Sequence, residues 1–189
     1  MTDVAVLILH PEPAPRAGET GRWVAAARAA LAERHRVGFL AAGATDVTVW
    51  AGLPDEVPFG ERLRSFVASR RPGGLVVLGS GAIPLATSAD RRAFVAAAGS
   101  RDGRLALVNN RYSADVLAIA AAANLADLPD LTTDNALPRW LAETAGYEVT
   151  DLRNRWRLGV DIDGPGDLVL IGPRTWLPDP PARCSRSRS

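Results

Sequence analysis

The chain has 189 residues, 47% of them hydrophobic, which suits one domain with a buried core. A formal net charge of +1 argues against nucleic acid or an acidic membrane as the partner. All 22 basic residues are arginine, which excludes a lysine Schiff base, a lysine general base and a Walker-type phosphate lysine. The one cysteine, Cys184, excludes an internal disulfide and fits a reducing compartment. The first apolar run follows an acid and is too short to cross a bilayer, so neither a secretory signal nor a membrane anchor is expected. The cytoplasm is the expected location.

Taken in chain order, Val4 to Leu9 is a short β-branched run stopped by His10-Pro11-Glu12-Pro13, a pattern that predicts a buried strand and a loop. Thr20 is placed to cap a helix reaching about Arg34, with Trp23, Ala27, Ala30 and Leu31 on its buried face and His35 at its end. Asp46 to Trp50 alternates as a second strand, and Phe59 to Arg70 reads as a helix that buries Leu63, Phe66 and Val67. The run LVVLGS after Gly73-Gly74 is apolar throughout, as in a strand covered on both faces. Thr87 and Asp90 have capping-box spacing ahead of a helix through Phe94 to Ala98.

Leu105 to Val108 predicts a further strand, ending at Asn109-Asn110. Ser113 is placed to cap an alanine-rich helix from about Ala114 to Ala126, and Asp134 one around Trp140 and Leu141 that stops at Gly146. Tyr147 to Leu152 and Trp156 to Ile162 read as the last strands, and Asp167 to Ile171 as a short helix after Pro165. Strands and helices alternate. The expected architecture is therefore α/β, with three layers and a mainly parallel sheet carrying helices on both faces. Residues 1–177 form the expected domain, and the Pro/Arg/Ser-rich residues 178–189 the expected disordered tail.

Open parallel sheets bind ligands at the carboxyl ends of their strands, which directs attention to the loops there. Gly79, Ser80 and Gly81 follow a buried strand and precede a capped helix. They serve either as a phosphate-approaching turn or as a tight turn needing glycine for its backbone alone. Asp161 and Asp163 alternate at an expected strand end, where two hard oxygen ligands suit Mg²⁺; an Asp turn opening a helix is the alternative. Asn109, Arg111 and Ser113 bring an amide, a guanidinium and a hydroxyl to one junction, suited to a base, a sugar or a helix cap. Arg153, Arg155 and Arg157 share one face, as a solvated edge or as a phosphate clamp. His10 and His35 are too far apart for a metal motif and are expected to have no chemical role.

With LVVLGSGAIPLAT, NNRYSAD and VDIDGPGDL in this order, the chain resembles the GT-A-type nucleotidyltransferases that act on cofactors, such as molybdenum-cofactor and 2-phospholactate guanylyltransferases. The resemblance spans Val4 to Leu170. Pro84, Leu85 and Thr87 match the tail of the family's central Asp-x-Pro-Leu motif. Asp161, Asp163, Pro165, Asp167 and Leu168 match its late acidic motif. It departs after the first strand, where LILHPEPAPRAGETG keeps Arg16 and Gly18 but has no lysine, and at the central motif, which lacks its aspartate.

The resemblance implies Mg²⁺ on Asp161 and Asp163, and a nucleoside triphosphate held by Arg16, Gly18, Gly79, Ser80, Gly81, Asn109, Arg111 and Ser113. It also implies nucleotidyl transfer to a small phosphorylated or cofactor-precursor acceptor. Two alternatives stand beside it. One is a catalytically inactive relative that binds a nucleotide or sugar phosphate, or serves a complex. The other is a Rossmann-like NAD-binding oxidoreductase, against which Pro84 spoils the glycine fingerprint.

Overall fold

A computed structural model describes residues 2–53, 57–101, 103–152 and 154–172. The expected tail, 178–189, and Arg153 lie outside the described residues. Six strands form one sheet: β1 (Val4–Pro11), β2 (Asp46–Gly52), β3 (Gly74–Gly79), β4 (Leu105–Val108), β5 (Val116–Ala120) and β6 (Glu148–Asp151). Their order across the sheet is β2-β1-β3-β5-β4-β6. Five strands run parallel, and β5 runs against both of its neighbours.

Among the described residues, five α-helices accompany the sheet: α1 (Glu19–Ala41), α2 (Phe59–Arg70), α3 (Ser88–Ala98), α4 (Leu137–Glu143) and α5 (Pro165–Ile171). Alternation along the strands divides the core in two. Leu7, Leu75, Val77, Leu117 and Ile119 face α2 and α4. Val6, Ile8, Val76, Leu78, Val116 and Ala118 face α1 and α3. Helices on both faces of a mostly parallel sheet make a three-layer α/β fold. A smaller cluster of Val24, Leu31 and Ile162 with Leu168 and Ile171 fastens α5 to α1. No helix among the described residues is long and apolar enough to cross a membrane.

Several expectations need correction. The alanine-rich segment after Ser113 is not a helix: Val116–Ala120 is β5, and Ala122–Asp127 is a 3-10 helix. Alanine favours helices only weakly against tertiary context. Here Leu117 and Ile119 fill one core while Ala118 lies against the other, a period of two that two neighbouring strands then fix by hydrogen bonding. Trp156 to Ile162 is not a strand either, since Trp156–Gly159 is a 3-10 helix that buries Leu158 and exposes Trp156.

Helix α1 begins at Glu19, with Gly18 rather than Thr20 at its cap, and continues well past Arg34. Its buried stripe is Val24, Ala27, Leu31, His35 and Phe39, so Trp23 falls one position outside it and is 57% exposed. His35, expected at the helix end, lies inside the helix and is fully buried.

Candidate functional site

The carboxyl ends of β1 and β3 and the start of β5 open on one cleft of about 170 Å³, lined by Leu9, Arg28, Gly79–Ala82, Asp115, Asp134, Asp161 and Asp163. The glycine loop and the late aspartates, eighty residues apart in sequence, are in contact. Ala82 pairs with Asp161 in an isolated antiparallel bridge, and the Ile162 amide donates to the Gly81 carbonyl at 3.0 Å. Gly81 is required by this approach. A Cβ there would stand 2.8 Å from the Ile162 carbonyl oxygen and 2.9 Å from Asp161 Oδ1. The Gly81 amide itself finds no acceptor among the described residues.

Beyond Ala82, Ile83 is held at φ 44°. A buried β-branched residue rarely adopts that left-handed backbone, which costs about 1–3 kcal/mol and persists only where its surroundings over-determine it. The Ile83 carbonyl accepts from Ala86 at 3.0 Å, and its side chain is enclosed in the α1/α3 core.

Four carboxylates face the cleft with few partners. Burial pushes Asp161 up to about 6, and repulsion from Asp163 and Asp115 adds to it, against the Ile162 amide and Arg28. Burial also raises Asp115, opposed by a hydrogen bond from Asn109 and reinforced by Asp134 and Asp163. Asp134 is raised by burial too, against amide bonds from Asn135 and its own backbone. Asp163 is largely exposed. Among the described residues, Arg28 is the one cationic side chain lining the cleft. Its Nε donates to the Ile162 carbonyl at 2.6 Å and its Nη2 to Asp163 at 3.0 Å.

Of the other residues singled out in the sequence, Ser80 lines the cleft but is buried, its hydroxyl 3.0 Å from His10 Nδ1. Burial lowers the His10 pKa; Glu12 raises it and Arg28 lowers it further. Asn109 is buried beside the cleft, with its hydrogen bonding turned inward. Its Nδ2 donates to Asp115 and to the Leu158 carbonyl, both at 2.8 Å, and its Oδ1 accepts the Asp115 and Val116 amides. It therefore orients Asp115. Arg16 and Gly18, on the loop between β1 and α1, are exposed and do not line the cleft; nor do the exposed Arg111 and Ser113.

Of the expected face of arginines, Arg155 and Arg157 form neither a solvated edge nor a free phosphate clamp. Arg155 Nη1 and Arg157 Nη2 each reach Asp90 Oδ1 at 2.7 Å. Sequence reasoning missed Arg28, Asp115 and Asp134. A mid-helix arginine carries no local sign of function, and Asp134 reads as a helix cap. Asp115 was within reach, because it closes the polar run that begins at Asn109.

The cleft continues into a hollow of about 150 Å³ floored by Phe59, Val77 and Leu117, and that hollow into one of about 300 Å³ lined by Trp50, Leu53, Phe59, Arg62 and Thr132. A larger depression of about 570 Å³ opens beside Val4, Gly43 and Gly99, and among the described residues no acid, histidine or amide side chain lines it. Among the described residues, no three His, Cys, Asp or Glu side chains converge closely enough to hold a metal by themselves. The donor set still fits Mg²⁺, which binds through one or two carboxylates and completes its shell with water and substrate oxygens.

No family model and no curated protein matches the sequence. Among solved structures, the fold is similar to Rv0371c from Mycobacterium tuberculosis H37Rv, with 17% identity, a TM-score of 0.48, and 93% of this chain and 97% of that one covered. It is also similar to the Rv0371c homolog from Mycobacterium sp. strain JC1, with 15% identity, a TM-score of 0.45, and coverages of 89% and 94%.

Proposed function

We propose that the chain is a divergent GT-A-type nucleotidyltransferase that binds a nucleoside triphosphate with Mg²⁺ in this cleft and serves a small phosphorylated or cofactor-precursor acceptor. The observation that carries the reading is the junction of Gly81 with Asp161 and Ile162, which puts a glycine turn and hard carboxylate ligands in one cleft. Asp161 and Asp163, with Asp115 beside them, are the residues that would hold the ion. Gly79, beside which a Cβ would meet nothing within 4 Å, leaves room for a phosphate to approach the backbone, and the Gly81 amide is a donor for it. Arg28 is the cation closest to hand, in place of the lysine the chain lacks. The hollows toward Phe59 and Trp50 have room for the rest of a nucleotide or for an acceptor. When bound, Mg²⁺ would offset charge on the phosphates and on leaving pyrophosphate.

On this reading, electrostatics favour a bound cation. Four carboxylates against one arginine repel a bare triphosphate, so binding requires the divalent cation. The same count favours a second reading, a relative that binds Mg²⁺-nucleotide without turnover. Arg155 and Arg157 are committed to Asp90, and Arg16 and Arg111 stand outside the cleft, which leaves little to stabilise pyrophosphate.

A thermal-shift screen of GTP, CTP, UTP, ATP and NAD, each with and without Mg²⁺, tests both readings. One triphosphate should raise the melting temperature only with Mg²⁺, and Asp161→Ala should abolish that shift. Pyrophosphate release with candidate acceptors separates transferase from silent binder. A full shift in both Asp161→Ala and Asp163→Ala would remove the site from consideration.

A further inference from the structure

Behind the cleft lies a buried polar cluster that touches both of its walls. Asp90 and Arg91 are neighbours in α3, and both are buried. Asp90 completes the capping box with Thr87, whose hydroxyl donates to Oδ2 at 2.7 Å, and it also receives Arg155 and Arg157. Through those two arginines it anchors the 3-10 turn that leads into Asp161. Arg91 points the other way: its Nη1 donates to the Ala86 carbonyl at 3.1 Å, and its Nη2 lies 3.4 Å from His35 Nδ1. His35 in turn reaches the Ala82 carbonyl with Nε2 at 2.8 Å.

The protonation of His35 follows from its neighbours. Burial, then the Arg91 charge, pushes its pKa down to about 3, against the Ala82 hydrogen bond, so the ring is neutral. A guanidinium can only donate, so Nδ1 is the acceptor and the proton resides on Nε2, facing Ala82. The carbonyl so held belongs to the residue that bridges Asp161 and precedes the strained Ile83. One side of the cluster therefore fixes the glycine loop, and the other fixes the segment that delivers the aspartates.

We infer that His35, Arg91 and Asp90 are positioning residues that set the spacing between the glycine loop and Asp161, and through it the cation affinity of the cleft. The affinity part rests on the metal-binding reading above; the spacing part does not. Packing alone would leave His35 replaceable by an apolar side chain of similar bulk. Positioning requires a donor aimed at Ala82 and an acceptor aimed at Arg91, which leucine lacks and glutamine supplies.

Amide hydrogen exchange on the full chain, without ligand, tests the spacing, with the Ile162 amide as reporter because it donates to Gly81. In His35→Leu, exchange at Ile162 should quicken at least tenfold while Val77 and Ile119 in the sheet stay within twofold, and His35→Gln should recover most of the protection. Arg157→Met probes the other wall from a partly exposed position that leaves Arg155 on Asp90, and unchanged exchange at Val77 and Ile119 serves as its folding control. There, exchange at Ile162 should quicken about fivefold. Unchanged exchange at Ile162 in Arg157→Met, or in a folded His35→Leu, overturns the inference, as does a Leu variant that matches the Gln variant. The Mg²⁺ concentration giving half the GTP-dependent thermal shift should rise severalfold in the variants with lost protection. If GTP and Mg²⁺ leave the wild type unshifted, the nucleotide reading fails while the exchange data still decide the spacing.

Discussion

Asp90 and Asp161 are the same residue in opposite circumstances. Burial raises both, but at Asp90 hydrogen bonds from the Thr87 side chain and backbone, from Arg157 and from Arg155 outweigh it and hold the carboxyl at about 2. At Asp161 burial is joined by repulsion from Asp163 and Asp115, which outweighs Arg28, and its pKa is about 6. The first has its charge satisfied within the fold. The second has the Ile162 amide and Arg28 on its side, but these do not outweigh its burial and the carboxylates around it. Structural and ligand-seeking acids are thus told apart by their partners and not by their burial.

The largest effect should come from breaking the satisfied side. Asp90→Ala leaves Arg155 and Arg157 without their carboxylate and removes a helix cap, a loss of about 3–5 kcal/mol by the behaviour of broken buried pairs, read from urea unfolding. Replacing both arginines by Met in the same variant should recover part of the loss. The folded pKa is depressed, so the stabilisation from Asp90 is present above its ordinary 3.8 and fades as pH falls through about 2. A variant as stable as wild type at pH 7 would show that the cluster does not hold the fold.

A smaller effect, of opposite sign, is expected on the unsatisfied side. The folded pKa of Asp161 is raised, so its contribution favours folding at low pH and is lost as pH rises from 3.8 through about 6. Asp161→Asn should flatten that part of the profile. At pH 8 it should stabilise the protein by about 1 kcal/mol, after allowance for solvent screening. Mg²⁺ should stabilise the wild type at pH 8 and do less for the variant. Identical pH profiles for the two proteins would contradict the contrast drawn between the acids.

The same contrast explains what the sequence could disclose. Strands β1 and β3 were legible as short, continuous apolar runs, helix α2 because its apolar residues repeat with a helical period, and the α3 cap because Thr87 and Asp90 have fixed spacing. Strand β5 was not, because Ala118 and Ala120 suit a helix as well as a crowded central strand, and only the strands beside it decide. Asp161 and Asp163 stood out as a local pattern. Arg28 did not, and Arg155 and Arg157 stood out as a shared face but not as partners of Asp90, since each of the three acts on a segment more than sixty residues away. Long-range charge pairing leaves no periodicity to read.

Arg28 gives the most discriminating prediction, because it belongs to both sides of the comparison. Its partner Asp163 is largely exposed, but its Nε also holds the Ile162 carbonyl, so Arg28→Met should cost about 1 kcal/mol. Its charge also lowers the Asp161 pKa and competes with any cation entering the cleft. Removing it should therefore strengthen binding of Mg²⁺ alone. A triphosphate entering with Mg²⁺ would lose its one lining arginine, so nucleotide affinity should fall in the same variant. Calorimetric titrations with Mg²⁺ and with Mg²⁺-GTP should consequently move in opposite directions. Movement in one direction would mean that Arg28 acts on a single ligand, and the cleft would then be a cation site or an anion site but not the joint site proposed here.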